Sequence, residues 1–174
     1  MRTGTHLFVL AGHDDWVCAV ACTTVGGVPF AVTAGDDATF RLWNLTSREE
    51  TAVLRGHRGW VRAVACLDVE GRPHAVTAGR DGTLRLRDLA SPHHAARIAE
   101  GSGPLWAVAC GVWQGQPHVA ATGRDRLVRV WRLQDRGLVS RVRLPLTCDT
   151  LAIADRDLVL GMRSDTVVLS PADL

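Results

Sequence analysis

Apolar residues fall in short runs along this chain, each closed off by turn formers. Residues 16–22 read Trp-Val-Cys-Ala-Val-Ala-Cys, a strand-length run rich in β-formers. Residues 29–34, 38–43 and 50–54 follow in the same style. Gly26-Gly27, Gly35-Asp36-Asp37 and Thr46-Ser47 separate them, and these residues favour turns. No window sustains a 3.6-residue period, so the pattern predicts four successive strands and no helix.

The pattern then starts again. Trp16–Cys22 recurs as Trp60–Cys66 and as Pro104–Cys110, at a spacing of 44 residues each time. Gly12-His13 returns as Gly56-His57. Ala31–Asp37 returns as Ala75–Asp81 and Val119–Asp125. Arg41-Leu42-Trp43 becomes Arg85-Leu86-Arg87 and then Arg129-Val130-Trp131. Identities this dense at one period define a repeat, and four strands per period make one small antiparallel sheet that needs neighbours on both faces. Residues 16–54, 60–98 and 104–142 are predicted as the first three sheets. A shorter, eroded unit over 147–174 is predicted as the fourth, with strands at Thr150–Ala154, Leu158–Gly161 and Thr166–Leu169.

Gly-His, then the Gly-x-Asp turn, then Arg-Leu-Trp, resembles the WD40 repeat, and the resemblance covers nearly the whole chain. The closing dipeptides depart from Trp-Asp: they are Trp43-Asn44, Arg87-Asp88 and Trp131-Arg132. The resemblance implies an all-β fold, a β-propeller of four-stranded antiparallel blades with four blades per chain. It also implies that residues 5–10 supply an outer strand completing the last blade. Rings in this family usually hold about seven blades. Four blades are therefore expected to self-associate, two chains forming one ring, with a closed four-blade monomer as the alternative.

The resemblance further implies a buried hydrogen-bond network in each blade, made of His, Ser or Thr, Asp and Trp. The first repeat matches fully with His13, Thr33, Asp37 and Trp43. The second matches with His57, Thr77 and Asp81, while Arg87 stands where Trp is expected and is read as an imperfect partner of Asp81. The third keeps Asp125 and Trp131. A catalytic triad of His13, Asp37 and Thr33 is the weaker reading, because the set repeats and no nucleophile motif accompanies it.

Carried over from the family, the face around the channel mouth holds three positions per blade. Here these are Trp16, Cys18 and Asp36, then Trp60, Arg62 and Arg80, then Pro104, Trp106 and Arg124. Arg supplies multidentate donors for carboxylates, and Trp supplies apolar anchoring and cation–π contact. The face is therefore expected to capture an acidic, extended peptide of a partner protein. The ring tryptophans packing between blades is the competing reading.

Composition narrows the function classes. The chain has 174 residues, 47% apolar and 22% charged, with a net charge of +2. This excludes a disordered polyelectrolyte and argues against nonspecific nucleic-acid binding, which needs a concentrated basic face. All 20 basic residues are Arg and there is no Tyr, a bias that suggests a GC-rich bacterial source. No apolar run is long enough to span a membrane as a helix, and the start of the chain does not read as a signal peptide. Five cysteines without a Cys-x-x-Cys pair are expected to be reduced and buried. A cytoplasmic protein is expected.

Cys22, Cys66 and Cys110 share one repeat position and are read as small core residues. His74 and His118, which alternate with Phe30, are read as packing residues. Zinc binding at His93-His94 is the weaker reading there, and no metal or cofactor is expected. Arg41, Arg85 and Arg129 are expected to shield strand faces. The function expected is a non-catalytic protein-interaction scaffold. A truncated remnant of a larger sensor protein, or less favourably a propeller enzyme, is the alternative.

Overall fold

A computed structural model describes residues 8–92, 95–100, 103–155 and 157–170. The His93-His94 pair, Gly101-Ser102, residues 5–7 of the expected outer strand and residues 171–174 lie outside the described residues. Phe8–Leu10, the rest of that expected strand, carries no strand.

The first sheet is β1 (Val17–Val25), β2 (Val28–Gly35), β3 (Phe40–Asn44) and β4 (Glu49–Leu54), paired in that order. The second is β5 (Val61–Val69), β6 (Arg72–Gly79), β7 (Thr83–Asp88) and β8 (Ala95–Glu100). The third is β9 (Leu105–Trp113), β10 (Gln116–Gly123), β11 (Leu127–Arg132) and β12 (Leu138–Arg143). The fourth holds three strands among the described residues: β13 (Thr150–Ala154), β14 (Asp157–Met162) and β15 (Asp165–Leu169). All pairings are antiparallel, and the described residues form no helix.

Two-residue hairpins set the register of the inner pair in each of the first three blades. Gly26 and Gly27 have φ of 57° and 82°, as the type I′ turn requires. Glu70-Gly71 and Gln114-Gly115 adopt the same left-handed pair. The inner strand and its partner therefore run longer than the apolar pattern alone suggests.

The sheets stack as blades through their inner strands: β1 on β5, β5 on β9, and β9 on β13. Three apolar layers fill the gaps. Phe30, Val32, Phe40 and Leu42 meet Val61 and Val64 between the first two blades. Val76 and Leu84 meet Leu105 and Val108 between the second and third. Trp113, Val128 and Val130 meet Leu158 and Leu160 between the third and fourth. Among the described residues no comparable packing joins β13 back to β1, so the four blades as described form an open arc.

Candidate functional site

In the first blade a chain of donors ends on one carboxylate. The Trp43 indole N–H donates to Thr33 Oγ1 at 2.8 Å. That leaves the Thr33 hydroxyl to donate to His13 Nε2 at 2.7 Å. His13 Nδ1 lies 2.9 Å from Asp37 Oδ2, and since a carboxylate only accepts, Nδ1 carries the hydrogen. Asp37 also accepts from the backbone N–H groups of Asp14 and Thr39 and from the Thr39 hydroxyl at 2.7 Å. Burial opposes its charge, but these donors outweigh burial and hold its pKa well below the ordinary 3.8.

The second blade repeats the geometry without its indole. His57 bridges Asp81 at 3.0 Å and Thr77 at 2.8 Å. Arg58 N–H, Thr83 N–H and the Thr83 hydroxyl complete the Asp81 shell. Arg87 does not engage Asp81. Its guanidinium donates to the carbonyls of Pro92 and Arg55 and lies over the Phe40 ring at 5.2 Å. The long side chain lies against Phe40 of the first blade and ends on carbonyls of the segments before β8 and after β4. In the third blade Trp131 is buried, and Asp125 accepts from Leu127 N–H and from Arg129.

Two members of this network escaped the sequence reading. Thr39 and Thr83 cap the turn carboxylates, and their shared position two residues after each Asp was the available signal. The arginines one turn further on do more than shield strands. Buried Arg41 reaches Glu50 at 2.6 Å, Asp37 at 3.5 Å and Asp14 at 3.7 Å.

The positions expected at a channel mouth are set by the same turns. The N–H of Asp36 donates to Trp16 O, that of Arg80 to Trp60 O, and that of Arg124 to Pro104 O, at 2.9, 2.8 and 3.0 Å. Each bond fixes the residue before the turn Asp beside the residue that opens the inner strand. In the second blade this sets the Arg80 guanidinium 4.3 Å from the centre of the Trp60 ring, while Arg62 lies 6.0 Å from it.

The middle positions converge. Cys18, Arg62 and Trp106 line one cavity of about 450 Å³ together with Asp149, which lies just before β13. Asp149 was invisible to the repeat arithmetic because the fourth unit breaks the 44-residue period. Asp36 stands at its rim: Cys18 Sγ lies 2.8 Å from Asp36 Oδ1, and Arg62 Nη1 lies 3.4 Å from the same oxygen. Burial and the bond to Asp36 push the Cys18 thiol pKa up. Arg62 is thus held by a carboxylate of the neighbouring blade, whereas Arg80 and Arg124 are exposed. Trp16 and Trp60 are exposed and Trp106 is half-buried.

The five cysteines are free. Burial, with Cys22 nearby, raises the Cys66 pKa to about 12, and burial likewise raises that of Cys110. Cys22 is exposed, against expectation, because among the described residues no strand packs on that face of the first sheet. His118 is buried against Trp113 with ring centres 5.4 Å apart, and His74 is half-buried. Among the described residues no group of three or more His, Cys, Asp or Glu is placed to hold a metal, and no helix is long and apolar enough to cross a membrane.

The family model described as "WD domain, G-beta repeat" matches residues 4–44 and 48–88. The fold is similar to the crystal structure of the WD40 beta propeller domain of Doa1, with a TM-score of 0.75 and 19% identity. That match covers 91% of this chain and 52% of the other, so the chain spans about half the length of the solved domain. No curated protein matches the sequence. Two repeats, over residues 4–88, thus match the WD40 family model, the first three sheets share one four-stranded blade architecture, and the fold is that of a WD40 β-propeller domain.

Proposed function

We propose that this chain is a non-catalytic scaffold of the cytoplasm whose channel-mouth face captures an acidic, extended peptide of a partner protein. The WD40 fold supports protein interaction in general, and the free thiols fit a reducing compartment. The observation that carries the specific reading is Arg80 stacked 4.3 Å over Trp60. A guanidinium on an exposed indole offers its edge to a carboxylate while the ring takes an apolar neighbour. Exposed Arg124 adds a second cation on the same face, and the cavity of about 450 Å³ lined by Cys18, Arg62, Trp106 and Asp149 gives an anchor side chain a place to enter. Exposed Trp beside Arg is the composition of interaction hot spots.

An array of acidic peptides carrying one apolar residue, probed with the parent and with the Arg80→Glu/Arg124→Glu double variant, tests the reading. The parent should bind, more weakly as salt rises, because exposed charges are screened. The double variant should lose binding while melting as the parent does. Equal binding of acidic, neutral and basic peptides by the parent would overturn the proposal.

A further inference from the structure

Each blade presents two faces, one toward the blade before it and one toward the blade after. The face toward the preceding blade carries the same residues in each of the first three blades: Val17, Val20 and Cys22, then Val61, Val64 and Cys66, then Leu105, Val108 and Cys110. Their exposure differs sharply. Val20 is 64% exposed, whereas Val64 is 9% and Val108 is 8%. Val17 is 55% exposed, whereas Val61 is 0% and Leu105 is 3%. The first blade thus bears the apolar strip that its two successors bury, and bears it uncovered.

The opposite face has a matching pattern. Toward the following blade the inner strands present small residues, Ala19 and Ala21 against the second blade and Ala63 and Ala65 against the third. The fourth blade repeats this. Leu151 and Ile153 point into the third blade, so the alternating Ala152 and Ala154 point away from it, and both are exposed. Val159 and Val168 share that bare face, since Ala152 pairs with Val159 and Val159 with Val168. Among the described residues the first blade therefore carries an uncovered valine strip and the fourth an uncovered alanine surface. Within the chain those two kinds of surface bury each other.

We infer that two copies of this chain close one ring, the fourth blade of each packing its Ala152/Ala154 face on the Val17/Val20/Cys22 face of the other. The occupant is a second copy because the junction reproduces one the chain already makes between its own blades, small residues of one inner strand against the valine strip of the next. The arrangement has a two-fold axis along the channel and is closed, which limits assembly to a dimer. It also completes the channel mouth, whichever ligand that face takes, and stands independently of the peptide reading.

Sedimentation of the full chain at roughly tens of micromolar tests the inference. The parent should run at twice the 18.8 kDa chain mass. Val20→Glu and Val168→Glu each alter one exposed position, so each should keep the parent's circular dichroism and run as a single chain. Mixed in equal amounts, the two variants should recover a two-chain species, because one of the two junctions in the mixed pair is intact. Alkylation of Cys22 by iodoacetamide should be several-fold slower in the parent than in either variant. A parent running as a single chain, or as more than two chains, overturns the inference. So does a dimer abolished by Val20→Glu but untouched by Val168→Glu, which would mean that two first blades meet face to face.

Discussion

Arg129 donates to the carboxylate of Asp125 across 2.5 Å, in the blade that has Gly101 and Ala121 where the first two have His and Thr. The turn carboxylate that pairs with a histidine in the first two blades here takes a guanidinium from the third strand, the repeat position from which Arg41 comes within 3.5 Å of Asp37 in the first blade. Arg129→Ala should therefore destabilise the fold by about 1–3 kcal/mol, because a part-buried carboxylate loses a strong donor. Arg129→Lys should recover only part of this, having lost the fork geometry. Urea midpoints of the three proteins check it.

Trp43 is fully packed and donates to Thr33. Trp43→Ala should cost about 3–5 kcal/mol in cavity and transfer free energy. Trp43→Phe keeps most of the volume and loses the N–H, so about 1–3 kcal/mol is expected. Equal midpoints for Trp43→Phe and the parent would show that the indole hydrogen bond contributes nothing.

Arg87 changes a second expectation. With Asp81 as its partner, Arg87→Trp would restore the repeat at no loss. Bonded instead to the carbonyls of Pro92 and Arg55, the guanidinium holds the blade edge. Arg87→Ala should cost about 1–3 kcal/mol. Arg87→Trp should fall between Ala and the parent, because the indole regains Thr77 but abandons both carbonyls. Thermal melts rank the three.

Acid should unfold this protein in two stages. Burial lowers the His57 pKa below its ordinary 6.5 despite the pull of Asp81, so the unfolded chain takes up the proton more readily. Stability is then lost as pH falls from about 6.5 through the folded value. Burial of Asp81 opposes its charge, but Arg58 N–H, His57 and Thr83 N–H bring its pKa from 3.8 to about 2. That contribution is complete above about 4 and disappears as pH falls toward 2. Denaturant midpoints against pH should show both limbs, with the first abolished in His57→Gln.

Gly79 precedes the turn of the second blade, and a Cβ there would lie 2.4 Å from His57 Nδ1 and 2.6 Å from Asp81 Oδ1. Gly79→Ala must drive the buried imidazole off its carboxylate, so a loss of about 1–3 kcal/mol or more is expected from overpacking alone. A nitrogen-15 chemical-shift change at the His57 ring would report the displacement directly.

Much of this protein was legible in its sequence, because its information is local and repeated. Strand against helix is decided by the alternation in Trp16–Cys22 and its copies, and blade count by the 44-residue period. The His13–Asp37 pairing is what the resemblance to the WD40 repeat implied, and the second blade repeats it at the same offset as His57–Asp81. What the repeat lacked, the sequence could not supply. Asp149 joins the channel cavity only because β13 docks on β9 in a unit whose period is broken. Arg87 bonds to Pro92 and Arg55 rather than Asp81 because a long side chain is placed by whatever carbonyls surround it, not by its offset from the turn. The exposure of Val20 and Cys22 was equally hidden: the matching valines, Val64 and Val108, are buried and the matching cysteines half-buried in the second and third blades, while both residues are bare in the first. Burial belongs to the neighbour a blade has, and the sequence of a repeat is the same whether or not that neighbour is there.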